Sequence, residues 1–222
     1  RDLEITPTFT AAYAQDRNEP NGAWQSDGAQ YELGVDVKWG IGSNLTLNGT
    51  LNPDFSQVES DQAQLDLNTT FALFFPEKRP FFLEGADYFS TPFNVVYTRS
   101  VQDPDYGVRA TGRNGQHTYG FFAAQDSVLQ VLIPGSLGSR FTNAQEIDSL
   151  AVAGRYRFDI NNKTSIGLIS TLRSGDEYQN TVVGIDGRWQ TKGHTLTAQW
   201  LTSDSENIAA FNPSFPEPPL PQ

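Results

Sequence analysis

Apolar and polar residues alternate along most of this chain. Leu3, Ile5, Pro7, Phe9, Ala11 and Tyr13 interleave with Glu4, Thr6, Thr8 and Thr10; Tyr31, Leu33, Val35, Val37, Trp39 and Ile41 interleave with Glu32, Asp36 and Lys38. Leu45, Leu47 and Leu51 continue the pattern, as do Leu65, Leu67, Phe71, Leu73 and Phe75. A helix repeats every ~3.6 residues and would mix these sets, so a period of two predicts β-strands. Further strands are predicted around Val152–Phe158, Ile166–Leu172, Val183–Trp189 and Leu196–Trp200, with weaker ones over Phe93–Ser100, Tyr106–Arg113 and Thr118–Asp126. The expected fold class is all-β, an antiparallel up-and-down transmembrane β-barrel, partial, with roughly 10–11 strands in this chain.

The links between strands carry a second pattern. Short turns rich in Asn, Gly and Lys are predicted at Gly40–Ser43, Asn114–His117, Ile160–Lys163 and Thr191–Gly193, the composition that tight hairpins require. Longer polar links are predicted at Asp16–Gly28, Pro53–Ala63, Ser127–Ser149 and Ser174–Asn180. Short and long links alternate, as in barrels with periplasmic turns and outer loops. The stretch 76–92 breaks the rule by falling where a short turn is due, and reads as an in-folded or linking segment. The barrel portion is expected over 1–203, followed by a Pro-rich loop or tail over 204–222.

Composition narrows the choice. The net charge is -11, with 26 acidic residues against 15 Lys and Arg, which argues against nucleic acid, since that partner needs a basic footprint. The chain has no Cys, so it has no disulfide framework or thiolate metal site. Mean hydropathy is -0.45. The longest apolar run, Phe71–Phe75, is far below the ~20 residues of a spanning helix. A barrel escapes that limit because only every second residue meets lipid. The chain begins at Arg1 without Met, and is expected to start inside a longer precursor.

A soluble β-sandwich also alternates, so the membrane reading rests on further features. The predicted strands run about 8–13 residues against ~5–6 for an average strand. Tyr31 and Trp39 share one face eight residues apart, roughly 26 Å at ~3.3 Å per residue. At a tilt of ~40° that covers about 20 Å of bilayer, near the ~25 Å apolar band between aromatic girdles. Tyr106, Tyr119, Trp189 and Trp200 also sit near predicted strand ends and complete the expected girdle. The opposite face carries Glu32, Asp36, Lys38, Arg109, Arg155, Arg157, Asp159, Asp186 and Arg188, which suits a wet or plugged lumen.

Two stretches carry a resemblance. One is GVDVKWGIGSNLTLNGTLNPDFSQVE, residues 34–59; the other is FFPEKRPFFLEG, residues 74–85. Together they resemble an uncharacterised bacterial outer-membrane β-barrel family, often found C-terminal to a family-nine carbohydrate-binding-like module. The resemblance covers about a quarter of the chain closely. It implies location in the bacterial outer membrane and contact with its lipid. It implies no activity, so no catalytic residue carries over. Such barrels continue for many more strands, so a missing segment or another chain is expected to complete this one.

The most unusual constellation is Glu77, Lys78, Arg79 and Glu84, framed by Phe74, Phe75, Phe81, Phe82 and Phe89 and stiffened by Pro76 and Pro80. It reads either as a plug lining a lumen or as an aromatic-packed, salt-bridged link. Either way Glu84 is expected to bond Arg79 or Lys78, since buried charges need partners. Arg109, Arg113, Arg155, Arg157, Arg173 and Arg188 fall on lumen-facing positions. They form an anion-selective stripe or pair with Asp36, Asp159 and Asp186. Asp54, Glu59 and Asp61, with Asp66 beyond, are a weak Ca²⁺ candidate without any recognised ligand spacing. No cofactor motif is present. His117 and His194 lie at short turns without a neighbouring nucleophile. Three functions follow: a barrel acting as pore or membrane anchor, linked to glycan uptake or display; a soluble or surface glycan-binding module using its Trp and Tyr side chains; and a barrel-embedded hydrolase using His117 or His194.

Overall fold

The computed structural model describes residues 2–16, 25–53, 77–96, 98, 101, 104–135, 138–175 and 178–206. Among the described residues, nine strands form one antiparallel sheet whose spatial order is the chain order. They are β1 (Leu3–Asp16), β2 (Gln25–Ile41), β3 (Leu45–Leu51), β4 (Pro104–Asn114), β5 (His117–Gly135), β6 (Gly138–Asn161), β7 (Thr164–Gly175), β8 (Tyr178–Gln190) and β9 (Thr195–Glu206). The sheet is an up-and-down meander. It is not closed into a barrel: among the described strands β1 pairs only with β2 and β9 only with β8.

The described residues form nine strands, against the 10–11 expected for the chain. Of the strand expected over Phe93–Ser100, the described residues form none: Phe93–Val96 are irregular and Thr98 lies in a helical turn. The strand expected over 65–75 lies outside the described residues, and β3 pairs directly with β4 from Leu51↔Tyr106 to Leu45↔Gly112. β3 ends at Leu51 and β4 begins at Pro104, so the β3–β4 link leaves and rejoins the sheet at the same end.

The predicted short turns are all present, and all lie at one end of the sheet. Asn114 and His117 are paired across Gly115 and Gln116. Gly115 has φ 58°, a left-handed conformation that glycine adopts without a Cβ penalty and that tight hairpins need. The other end departs from expectation. The predicted loop over 127–149 is instead a continuation of the β5–β6 hairpin, paired from Val128↔Gln145 to Gly135↔Gly138 after a shift in register beyond Asp126. Val128, Val131 and Ile133 are β-branched and favour extended backbone. The predicted link over Ser174–Asn180 shrinks likewise, since Gly175 pairs with Tyr178. Pro7 lies inside β1, an edge strand, where a missing N–H costs no ladder bond on the open side.

The strict alternation gives the sheet two unlike faces. On the outer face lie Leu3–Tyr13, Tyr31–Ile41, Leu45–Leu51, Tyr106–Gly112, Tyr119–Gln125, Leu150–Ile160, Ile166–Leu172, Val183–Trp189 and Leu196–Trp200, taking every second residue. None of those positions is Asp, Glu, Lys or Arg. The inner face carries most of the charges; Asp204 and Glu206 share the outer side of β9 but lie beyond Trp200, at the far end of the strand. The inner face is covered by the returning part of the β3–β4 link, which includes a single helical turn, α1 (Pro80–Leu83), and a 3-10 turn over Ala86–Phe89. The core lies between that segment and the sheet: Phe81, Phe82, Phe89 and Val101 against Phe122, Ala124, Ala151 and Ala153.

Candidate functional site

Small residues on the inner face make room for the inserted segment. A Cβ on Gly107 would come within 2.9 Å of the Phe81 ring, and one on Gly120 within 3.1 Å of the Phe89 ring. Phe81 and Phe82 meet edge to face with centroids 5.1 Å apart, and Phe82 meets Phe122 at 5.6 Å. Burying each ring stabilises the segment by about 1.5–3 kcal/mol.

Charged groups then pin it. Arg79 is buried, yet well supplied with acceptors. Its Nε donates to Glu77 Oε1 at 2.8 Å, its Nη2 to Glu77 Oε2 at 2.8 Å, and its Nη1 to the carbonyl of Val101 at 2.6 Å. Nη2 also reaches the Thr98 carbonyl at 3.0 Å, and the guanidinium lies 4.1 Å over the Phe82 ring. One side chain thus ties the start of the segment to its end. Burial raises the Glu77 pKa, but hydrogen bonds from Arg79 and Thr98 outweigh it and hold the carboxyl below its ordinary value.

Glu84 does not pair with Arg79 or Lys78 as expected. It forms an ion pair with Lys38 of β2, accepts from Asn48 Nδ2 of β3 at 3.0 Å, and lies 3.6 Å from Arg109 Nη2 of β4. The correction has a geometric cause. Glu77, two residues from Arg79, already occupies its guanidinium, while Glu84 sits past α1 over the three strands that present Lys38, Asn48 and Arg109. Arg109 also donates to the Phe81 carbonyl, within the covered core. Farther on, Phe93 N–H donates to Gln199 Oε1 of β9 at 2.6 Å. The segment therefore makes contacts with the sheet from β2 to β9. Lys78 is exposed at its margin.

The remaining inner-face arginines divide by depth. Arg155 is buried and grips Asp186 of β8 with both terminal nitrogens, Nη2 to Oδ1 at 2.9 Å. Arg173 pairs with fully buried Asp126 at 2.8 Å. Arg113 and Arg157 share one carboxylate, that of Asp159, at 3.2 and 3.1 Å. Arg188 donates to Gln190 Oε1 at 3.1 Å and forms no ion pair among the described residues. A cavity of about 680 Å³ opens here, between Ser90–Pro92 of the inserted segment and the short-turn ends of the strands. Its charged lining is Arg113, Arg155, Arg157, Lys163 and Arg188 with Asp159 and Asp186.

The six aromatics expected in girdles all share the outer face. Trp39, Tyr119 and Trp189 lie toward the short-turn end, and Tyr31 and Tyr106 toward the other. Trp200 sits mid-strand in β9, opposite Ile185, and so departs from the expected end position. Tyr119 folds over Gly112, where a Cβ would come within 2.5 Å of its ring. His117 Nδ1 lies 2.6 Å from the Tyr156 hydroxyl, and His194 lies in the β8–β9 turn. The described residues bring no serine hydroxyl into hydrogen bonding with either imidazole. Asp54, Glu59, Asp61 and Asp66 lie outside the described residues, among which no group of three or more His, Asp or Glu could hold a metal ion.

Sequence reasoning missed the Asp126–Arg173 pair, the role of Lys38 as partner of Glu84, and the reach of the segment to Val101. The available clue was the cluster of Gly107, Gly120, Ala124, Ala151 and Ala153 on the otherwise charged face, which marks where a covering element fits. No curated protein matches the chain. The described residues contain no helix long and apolar enough to cross a membrane, which leaves strand-spanning proteins untouched. A family match does exist, over residues 2–118, a span that takes in β1–β4, the inserted segment and both motifs at 34–59 and 74–85. With that match covering more than half of the 222 residues, the chain belongs to the family described as a domain of unknown function, DUF5916.

Proposed function

We propose that this chain is part of the wall of an outer-membrane β-barrel, acting as a pore or membrane anchor, with the 77–101 segment occupying its inner side. The observation that carries this reading is the outer face. Leu33, Phe9, Leu196, Ile5 and Trp200 are each about three-fifths exposed or more, and they belong to one apolar surface that runs across all nine strands without a charge. Soluble monomers rarely expose apolar patches beyond a few hundred Å², whereas a lipid-facing wall requires such a surface. The inner face, with its ion pairs and polar cavity, is the complementary half of that design. Strand edges in lipid leave backbone groups without partners. On this reading the free edges of β1 and β9 are joined by further strands, from another segment or another chain.

The test is fractionation of cells expressing the full-length protein, with gel mobility of the detergent-extracted material before and after boiling. Recovery in the outer membrane with a mobility shift on heating is the expected result. A monodisperse protein in the detergent-free soluble fraction would overturn the reading.

A further inference from the structure

The cavity at the short-turn end has a charge that the rest of the chain does not predict. The protein as a whole is acidic, at -11, yet this cavity is lined by five cationic side chains and two carboxylates, a surplus of three positive charges. The pairing pattern concentrates that surplus. Arg155 and Asp186 satisfy one another in a buried two-pronged pair. Asp159 is divided between Arg113 and Arg157. Among the described residues Arg188 meets the neutral amide of Gln190 and forms no ion pair, and Lys163 extends from the β6–β7 turn with no ion pair either. The side chains of Arg113 and Arg157 are partly exposed, at 59% and 39%, so they can be reached by an incoming group.

From this arrangement we infer a binding site for a small polyanion, an organic molecule bearing two or more carboxylate or phosphate groups. Guanidinium forks match the oxygen geometry of both. The volume, about 680 Å³, falls among the ~300–1,000 Å³ typical of small-ligand sites. The two carboxylates act on selectivity as well as structure. Asp159 holds Arg113 and Arg157 together, and Asp186 removes Arg155 from competition, leaving the outer cations to the ligand. Ser90 and Thr91 of the inserted segment form the opposite wall; the Thr91 hydroxyl donates to the Phe93 carbonyl at 2.6 Å, which leaves the Ser90 hydroxyl to face the ligand. The inference goes beyond the proposed membrane role, because a folded chain in any environment would present the same cavity.

The test is calorimetric titration of the purified full chain, in detergent at physiological ionic strength, with citrate and separately with inorganic pyrophosphate. Saturable one-to-one binding of at least one probe is expected. Arg188→Gln and Lys163→Gln should each weaken it by about tenfold, the scale of a lost charge-assisted contact. Lys192→Gln serves as the charge control, since Lys192 sits in the neighbouring β8–β9 turn and does not line the cavity; it should leave binding unchanged. Absence of saturable binding by either probe would overturn the site. So would equal weakening in all three variants, which would mean diffuse attraction to charge. Because the titration reads binding alone, its failure is distinct from a failure of membrane recovery.

Discussion

A single arginine moved across the sheet separates a lipid-facing wall from a soluble one. Ile185 is on the outer face of β8, 51% exposed, between Leu168 of β7 and Trp200 of β9. It is four residues from Trp189, a distance of about 13 Å along the strand. At a tilt of ~40° that becomes about 10 Å of depth, near the middle of a ~25 Å apolar band. An arginine at the midplane of a barrel wall costs about 2–4 kcal/mol, a factor of roughly thirty to several hundred in the folding equilibrium. On a water-exposed sheet the same change costs within about 0.5 kcal/mol, since exposed positions tolerate substitution. The assay is denaturant unfolding of wild type and Ile185→Arg in phospholipid vesicles. Leu196→Arg, near the short-turn end of β9, is the depth control. The expected order is a large loss at Ile185 and a smaller one at Leu196. A loss below about 0.5 kcal/mol at Ile185 would refute the assignment of this face to lipid, whatever the protein's location in the cell.

Three further outcomes follow from the inner face. Asp186→Asn strands buried Arg155 and should destabilise by about 3–5 kcal/mol, while Arg155→Met with Asp186→Leu should lie closer to wild type; thermal unfolding of both variants checks this. Phe82→Ala removes a ring packed on Phe81, Phe122 and Arg79 and should cost about 3–5 kcal/mol, seen as faster proteolysis within 77–101. Glu77 is held below the ordinary carboxyl value of 4.5, so its pairing with Arg79 stabilises the segment above that value and is lost as pH falls through the lowered folded value. Relative to the intrinsic amide rate at each pH, protection from hydrogen exchange across 77–101 should therefore fall on acidification below about pH 4.5 in wild type, and Glu77→Gln should show that weaker protection already at neutral pH, with little further change.

What could be read from the chain divides along a physical line. The strands and their faces follow from local alternation, and a period of two assigns Tyr31 and Trp39 to one side and Asp36 and Lys38 to the other without knowledge of neighbours. Short turns are equally local, since Gly115 and Gly42 supply positive φ where the chain reverses. Strand order across a long link is not local. The alternation over 65–75 invites a strand between β3 and β4, and only the Leu47↔Ala110 register reveals that these two meet directly. Ion pairs fail for the same reason. Glu84 and Lys38 are distant in sequence, whereas Arg79 is near at hand, so proximity along the chain points to the wrong partner. The rule that buried charges need partners held; the identity of each partner required the fold.

The inserted segment bridges strands that lie far apart in the sheet. It contacts β2 through Glu84 and Lys38, β4 through Phe81 and Arg109, and β9 through Phe93 and Gln199. Among the described strands the two ends of the meander are not paired, so the backbone ladder couples β2 to β9 only through the six strands between them. The segment supplies a direct coupling from the inner side, with an aromatic centre and polar contacts at both extremities. If the sheet closes only when further strands join β1 and β9, the segment holds its inner face together beforehand. Arg79, which ties the segment's start to Thr98 and Val101, is then the side chain on which that coupling depends. Arg79→Met should loosen the contacts at Gln199 as well as those at Glu84, although neither touches Arg79. Hydrogen exchange at β2 and β9, rising together in this variant, would demonstrate the coupling; a rise confined to residues 77–84 would refute it.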